Sequence, residues 1–359
     1  MQNHLVALQS YALNENFKRD HALLYTENFT QRTGEFDFNT LFYDIVMTES
    51  ATLLYCPKLF NVETLITAST FIIDDKIQPI NIKKCSRYDI IKIKSKGKKL
   101  TIQNTLFNES WDLIKFDSMR FSGKNCLSTL NKNNKLEWIA DFVKFHIKHH
   151  GLEVIVLYDN GSTDYTLEAL EKCLQETGIS DFLIVSVPQP FGPILKDRNH
   201  SFCFLQTALL NLSRDKFFPM ANAVLNIDID ELIWKKDKTI FELAQSSFFG
   251  FVLFRGEWRL TANNTQTIRH QAHNYLDPTE KSCPTKYCYV PTKIARWCQL
   301  GNHRLHLKRT LFRNIVNRLL ENTDIGYWHC KSISTNWKYK REAPKTSLTI
   351  DQQFKRYFS

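Results

Sequence analysis

Between about residues 38 and 118, apolar and polar residues alternate in short runs: LFYDIVMTE, ATLLYCP, LITASTFII, IQPINIKK, YDIIKIKS, KKLTIQNT and WDLIKFD, with turn formers between them. A period of two turns one side of each run to a core and the other to water, which predicts short antiparallel strands. The expectation for residues 1–120 is therefore a β-rich, sandwich-like domain. After RFSGKN the period changes, and continuous apolar runs alternate with stretches of helical period. Such runs suit a parallel sheet covered by crossover helices. The pattern predicts a strand at 126–130, then a helix with Leu136, Ile139, Ala140, Val143 and Ile147 on one face, then a strand at 154–159. Lys148, His149 and His150 before Gly151 read as a basic, glycine-capped helix end. Ser162 or Thr163 is the expected cap of a helix that turns Leu167, Leu170 and Leu174 inward. FLIVSV, SFCFLQTALLNL and AVLNIDID would supply a third strand, a third helix and a fourth strand. The expected fold is α/β over residues 121–330, an open, mostly parallel sheet with helices on both faces, followed by a basic tail over 331–359.

Apolar residues make up 43% of the 359 positions and aromatics 13%, enough for packed cores rather than a disordered chain. No apolar run approaches the ~18 residues of a membrane span, and the N-terminus lacks a basic start with an apolar core, so a cytoplasmic protein is expected. Nine cysteines, an odd number with several inside apolar patterns, suggest reduced core thiols rather than a disulfide framework. Cys283, Cys288, Cys298 and Cys330 lie near His303, His306 and His329, without the paired spacing of a zinc site. The formal net charge of +10 suggests an anionic partner: nucleic acid, a phosphate-bearing substrate or an anionic membrane surface.

The chemistry concentrates in two places, both at carboxyl ends of predicted strands, where open α/β sheets bind ligands. In YDNGSTD an apolar strand runs out into Asp159, turns through Asn160 and Gly161 and enters a helix. Asp159 can accept from a base or ribose donor, or the same letters make an Asx turn. In VLNIDIDELI, Asp228, Asp230 and Glu231 crowd the end of an apolar strand. If the strand continues, Asn226, Asp228 and Asp230 share one face. Neighbouring carboxylates repel, and a divalent cation with hard oxygen ligands, Mg²⁺ or Mn²⁺, would relieve them while holding a diphosphate leaving group. The alternative is a solvated acidic turn.

NKLEWIADFVKFHIKHHGLEVIVLYDNGSTDYT followed by LNIDIDELI, RGEWR (255–259), GNHRLH (301–306) and WHCKSISTNWKYKR (328–341), in that order, resembles GT-A glycosyltransferases of the family 2 type, in the branch that includes family 92. The likeness spans about residues 126–341. It implies transfer of a sugar from a nucleotide donor, a UDP-hexose and by family habit UDP-galactose, usually with inversion and with bound Mn²⁺ or Mg²⁺. Carried over, Asp159, Asn160 and Asp228 would contact the donor nucleotide, and Asp228, Asp230 and His329 would hold the metal and diphosphate. Two positions depart from the pattern: Asn134 stands where an acid is expected and Cys330 where an aromatic is common.

An inverting transfer needs a base beside the acceptor hydroxyl, for which Glu257 is the candidate, with Glu231 and Asp277 as competitors. The other reading of Glu257 is a surface carboxylate paired with Arg255 or Arg259. Trp258, His303 and His306 would line the acceptor side. Lys331, with Lys338, Lys340 and Arg341, would meet phosphate oxygens or anionic lipid, or simply be a solvated tail. The expected partners are a nucleotide-sugar donor and a glycan or glycolipid acceptor such as lipopolysaccharide or capsule, with peripheral membrane contact and no nucleic acid. Two other classes remain: a nucleotide- or nucleic-acid-binding protein with a degenerate transferase site, and a phosphatase with a nucleophilic DxD. The second fits poorly, because its motif belongs on a first strand and no later acidic pair follows.

Overall fold

The computed structural model of the chain describes residues 3–14, 17–20, 36–195, 200–201, 203–262, 268–295, 298–306, 320–335 and 348–359. The chain divides into two compact units, one built from residues 1–6, 121–186 and 220–359, the other from residues 7–120 and 187–219.

The first unit is built on a nine-stranded sheet. Its members in chain order are β1 (Asn125–Asn131), α1 (Leu136–His150), β2 (Val154–Asp159), α2 (Leu167–Gln175), β3 (Asp181–Ser186), β4 (Ala223–Asn226), β5 (Glu231–Lys235), α3 (Ile240–Ser246), β6 (Phe251–Arg259), β7 (Cys283–Tyr289), β8 (Ile325–Cys330) and α4 (Gln352–Phe358). The sheet runs from the Leu5–Ala7 strand through β3, β2, β1, β4, β7, β6 and β8 to β5. The four strands β3, β2, β1 and β4 are parallel, aligning Asn131 with Asp159 and Ser128 with Asn226. β7 then pairs antiparallel with both β4 and β6, β6 pairs parallel with β8, and β8 antiparallel with β5. The expected α/β architecture with a parallel core is present, and antiparallel strands extend it beyond β4. β1, β2 and β4 are buried along nearly their whole length because both faces are covered, and their Leu127, Ile155, Leu157 and Leu225 join the core with Ile139, Phe142 and Val143 of α1.

Helix α1 ends where expected, at Gly151, whose left-handed φ of 68° suits a residue without Cβ. His150, expected in the basic helix end, turns inward together with His146. Four residues apart, they share the inward face and are buried. There they serve β5, the outer strand, whose free backbone groups need partners. Ile233 N–H donates to His146 Nε2 at 3.4 Å, and His150 Nε2 donates to Ile233 O at 3.0 Å while its Nδ1 accepts from Ile240 N–H at 3.2 Å. Burial lowers both imidazole pKa values, that of His150 to about 4. Further along β5, Tyr357 of α4 brackets Lys235: its hydroxyl accepts from Lys235 N–H and donates to Lys235 O, each at 2.8 Å.

The segment expected as a tail therefore ends in a docked helix. Asp351 caps α4 by accepting from Phe354 N–H at 3.0 Å, and buried Phe354 packs 4.8 Å from the Trp328 ring. Helix α2 starts later than expected, capped by Thr166 rather than Ser162 or Thr163, because Ser162 is committed to Asp159. Among the described residues no helix is long and apolar enough to cross a membrane, and all nine cysteines are free thiols.

The second unit carries two four-stranded antiparallel sheets. One holds Asp44–Met47, Thr52–Cys56, Asp89–Ile93 and Ile80–Lys84, and the other Asn108–Asp112, Lys99–Gln103, Thr70–Ile73 and Lys76–Gln78. Their inward residues, Leu54 and Ile91 from one sheet and Phe71, Leu100 and Ile102 from the other, meet in one core. The Phe204–Lys216 helix, expected as a crossover of the parallel sheet, belongs to this unit. Its last turn explains the attachment: Lys216 Nζ lies 2.6 Å from Asp44 Oδ2, and the Tyr55 hydroxyl donates to Asp215 Oδ2 at 2.6 Å.

Candidate functional site

β4 stops at Asn226, and the carboxylates expected at the end of a continuous strand sit in a tight turn leading into β5. Two reciprocal bonds close it. Glu231 N–H donates to Asp228 O at 3.0 Å, and Asp228 N–H donates to Glu231 Oε2 at 2.9 Å. The alternation of the letters persists in burial, with Ile227 and Ile229 in the core and Asp228 and Asp230 half-buried.

The counter-charge comes from a residue that the sequence reading did not single out. Lys286 of β7 places its Nζ 2.7 Å from Asp228 Oδ2 and 3.0 Å from Glu231 Oε2. Lys286 and Glu231 are each only 1% exposed. Burial by itself would lower the Lys286 pKa, but Asp228 and Glu231 outweigh it and hold the ammonium above its usual range. Burial also raises the Glu231 carboxyl pKa, with Lys286 opposing. A signal for Lys286 was legible in CPTKYCYV, where one lysine interrupts an aromatic, apolar strand and so requires an acidic partner.

His329 completes the cluster. The register of β5 and β8 sets Glu231 opposite His329, and the imidazole Nε2 lies 2.9 Å from Asp230 Oδ2. Trp258 stacks on the His329 ring with centroids 4.1 Å apart and planes inclined by 19°. The turn is pinned from two further sides: Cys330 N–H donates to Asp230 O at 2.8 Å, and His270 Nε2 to Ile229 O at 2.9 Å. β6 can lie so close to β8 because Gly256 faces Tyr327; a Cβ there would fall 2.2 Å from the Tyr327 ring.

Asp230, Glu231 and His329 each offer a ligand atom, and these atoms all lie within 4.8 Å of one another. Two hard carboxylates and an imidazole form a donor set that suits Mn²⁺ or Mg²⁺. The set differs by one member from the expected Asp228, Asp230 and His329: Glu231 stands in place of Asp228.

Asp159 and Asn160 sit at the carboxyl end of β2, both buried. Asp159 Oδ2 accepts from Asn131 Nδ2 at 2.8 Å and from the Ser162 hydroxyl at 2.6 Å, and Oδ1 accepts from Ser162 N–H at 2.9 Å. Asn160 N–H donates to Asn131 O at 2.8 Å. The loop-ordering reading of Asp159 therefore accounts for its carboxylate, and Asn131 is its unforeseen partner. Beside this loop opens a cleft of ≈ 250 Å³ lined by Lys132, Asn133, Lys135, Trp138, Asp164, Ser334 and Thr335.

Glu257 is not beside the cluster. Its side chain is 57% exposed, with Oε2 2.8 Å from Arg259 Nη2. Adjacent strand residues face opposite ways, so with Trp258 on His329, Glu257 lies on the other side of the sheet. The Arg259 ion pair accounts for the Glu257 carboxylate, as in the second reading of that residue. Asp277 lies in an exposed turn, accepting from Thr279. Lys331 joins the cluster's periphery, its Nζ 5.7 Å from the Trp258 ring centre and 2.5 Å from Glu280 Oε1. His303 and His306 belong to a hairpin of Gln299–Leu300 with Leu305–His306, whose Asn302 O accepts from Asn226 Nδ2 at 3.2 Å. Lys338, Lys340 and Arg341 lie outside the described residues.

No family model matches the chain, and no curated protein matches it. Among solved structures, the chain is similar to GalNAc-T7 with UDP, GalNAc and Mn²⁺, at 10% identity and a TM-score of 0.30, over 48% of this chain and 36% of that one. It is similar to S. aureus TarS at 13% identity and a TM-score of 0.30, over 58% of this chain and 60% of that one. A third likeness is to core-mannan synthase A from Aspergillus fumigatus in its Mn/GDP form, at 9% identity and a TM-score of 0.27, over 51% of this chain and 55% of that one. The matched regions thus span between about a third and three fifths of those proteins.

Proposed function

We propose that this chain is a metal-dependent GT-A-type glycosyltransferase that moves a hexose from a UDP-linked donor to a hydroxyl of a glycan or glycolipid. The observation that carries the reading is the Asp230, Glu231 and His329 cluster, held where the parallel strand β4 turns into β5. In an open α/β sheet, ligands gather at that edge. The ordered motifs from EW to WHCKS support the family, and the cluster supports its metal.

Asp230, Glu231 and His329 would hold Mn²⁺ or Mg²⁺. Bound there, the ion would neutralise the diphosphate as it departs. The remaining work falls to the chain. Trp258 fixes the ring plane of His329, so the Nε2 that meets Asp230 is preoriented. Lys132 and Lys135 give the ≈ 250 Å³ cleft a cationic lining for the donor, with Trp138 as its apolar wall. Asp159 orders the loop beneath the donor rather than touching it. His303, His306 and Lys331 belong to the acceptor side, and the basic surface favours an acceptor in an anionic membrane.

The test is thermal unfolding with a panel of sugar nucleotides and Mn²⁺. A donor at a hundred times its dissociation constant should stabilise the protein by about 2.7 kcal/mol. That gain should vanish in Asp230→Asn, which keeps the size of the side chain and can still hydrogen-bond His329. Absence of any donor- and Mn²⁺-dependent shift in the wild type would sink the proposal.

A further inference from the structure

We infer that Lys286 is a built-in counter-ion that sets the divalent-ion affinity of the acidic turn and positions its carboxylates before any ion arrives. The inference rests on the metal-binding reading of Asp230, Glu231 and His329, but on different contacts.

The ammonium sits between two acids, 2.7 Å from Asp228 Oδ2 and 3.0 Å from Glu231 Oε2. Glu231 is also one of the three ligand-bearing residues, so the ammonium and an incoming ion draw on the same carboxylate. Lys286 is held by its backbone: β7 lies between β4 and β6, pairing Asn226 with the neighbouring Tyr287 and Phe254 with Lys286 itself. Its side chain is buried, so it cannot swing into solvent when an ion enters. A fixed positive charge close to the ligands has two effects. It closes the turn, because Glu231 Oε2 accepts from both Lys286 and Asp228 N–H. It also repels a second cation, so ion affinity is lower than the carboxylates alone would give. Lys286 is thus a positioning residue acting through Glu231 and Asp228.

The probe is manganese alone, titrated into the full chain and followed by calorimetry and by the paramagnetic resonance of free Mn²⁺. Removing one unit charge at this range in Lys286→Met or Lys286→Gln should tighten manganese binding by a factor of about ten or more. Lys286→Arg, which keeps the charge, should stay near wild type. A residue that merely filled space would leave affinity unchanged. Unchanged or weaker binding in both neutral variants overturns the inference. If neither folds without an ion, recovery of folding in millimolar Mn²⁺ but not in matched NaCl supports it, and no recovery overturns it. The two readings fail separately. Tighter manganese binding in the variants with no sugar-nucleotide binding in any form would remove the transferase reading and leave Lys286 its role. Donor binding with manganese affinity unmoved would do the reverse.

Discussion

The two units bury charge in different ways. In the β-rich unit the account is one to one: Lys216 meets Asp44 at 2.6 Å, with the Asp44 side chain fully buried, and Asp44 also accepts from Gln9 N–H. In the sheet unit one ammonium serves two carboxylates, and a third, Asp230, leans on an imidazole. Matched charges reinforce a fold and invite nothing. An acid-rich cluster at a strand end, partly open to solvent, can accept a further cation, and this separates a structural ion pair from a site.

The largest effect should come from unbalancing the matched pair. Lys216→Met leaves Asp44 buried without its cation and should cost about 3–5 kcal/mol in denaturant unfolding. A cost below about 1 kcal/mol would mean that the pair is not the clasp it resembles. Next comes acid. His150 has a folded-state pKa of about 4 against an unfolded 6.5, so the unfolded chain takes up the proton first. Above pH 6.5 the shift costs nothing; as pH falls toward 4 it removes about 3 kcal/mol of stability. His150→Gln should flatten that part of the stability-versus-pH curve, and an unchanged slope would show that His150 is not the group responsible. The smallest effect belongs to Glu257, exposed and paired only at the surface. Glu257→Gln should alter stability by less than about 0.5 kcal/mol. A hundredfold loss of transfer in that variant would restore it as a base and overturn its placement across the sheet.

Local patterns were good guides to elements and poor guides to attachments. α1 and its glycine end follow from side-chain spacing, because periodicity reports which face is buried and Gly151 marks where a left-handed residue is needed. Ser162 was misread as a cap because its hydroxyl had a stronger partner in Asp159, three residues back. The IDID strand was drawn too long because Glu231 bonds Asp228 N–H and folds the chain over. The sequence does not say which sheet the Phe204–Lys216 helix covers, because the helix is buried on nearly every side, polar Gln206, Asn211 and Ser213 included.

By itself the sequence determined that acids would crowd the end of a buried strand and that a late histidine would follow, since these are facts of composition and order. It could not determine who neutralises them. Lys286 is 55 or more positions from its partners, and only the antiparallel insertion of β7 between β4 and β6 brings it there. Electrostatic compensation acts through space over a few ångströms, and strand order decides which residues share that space.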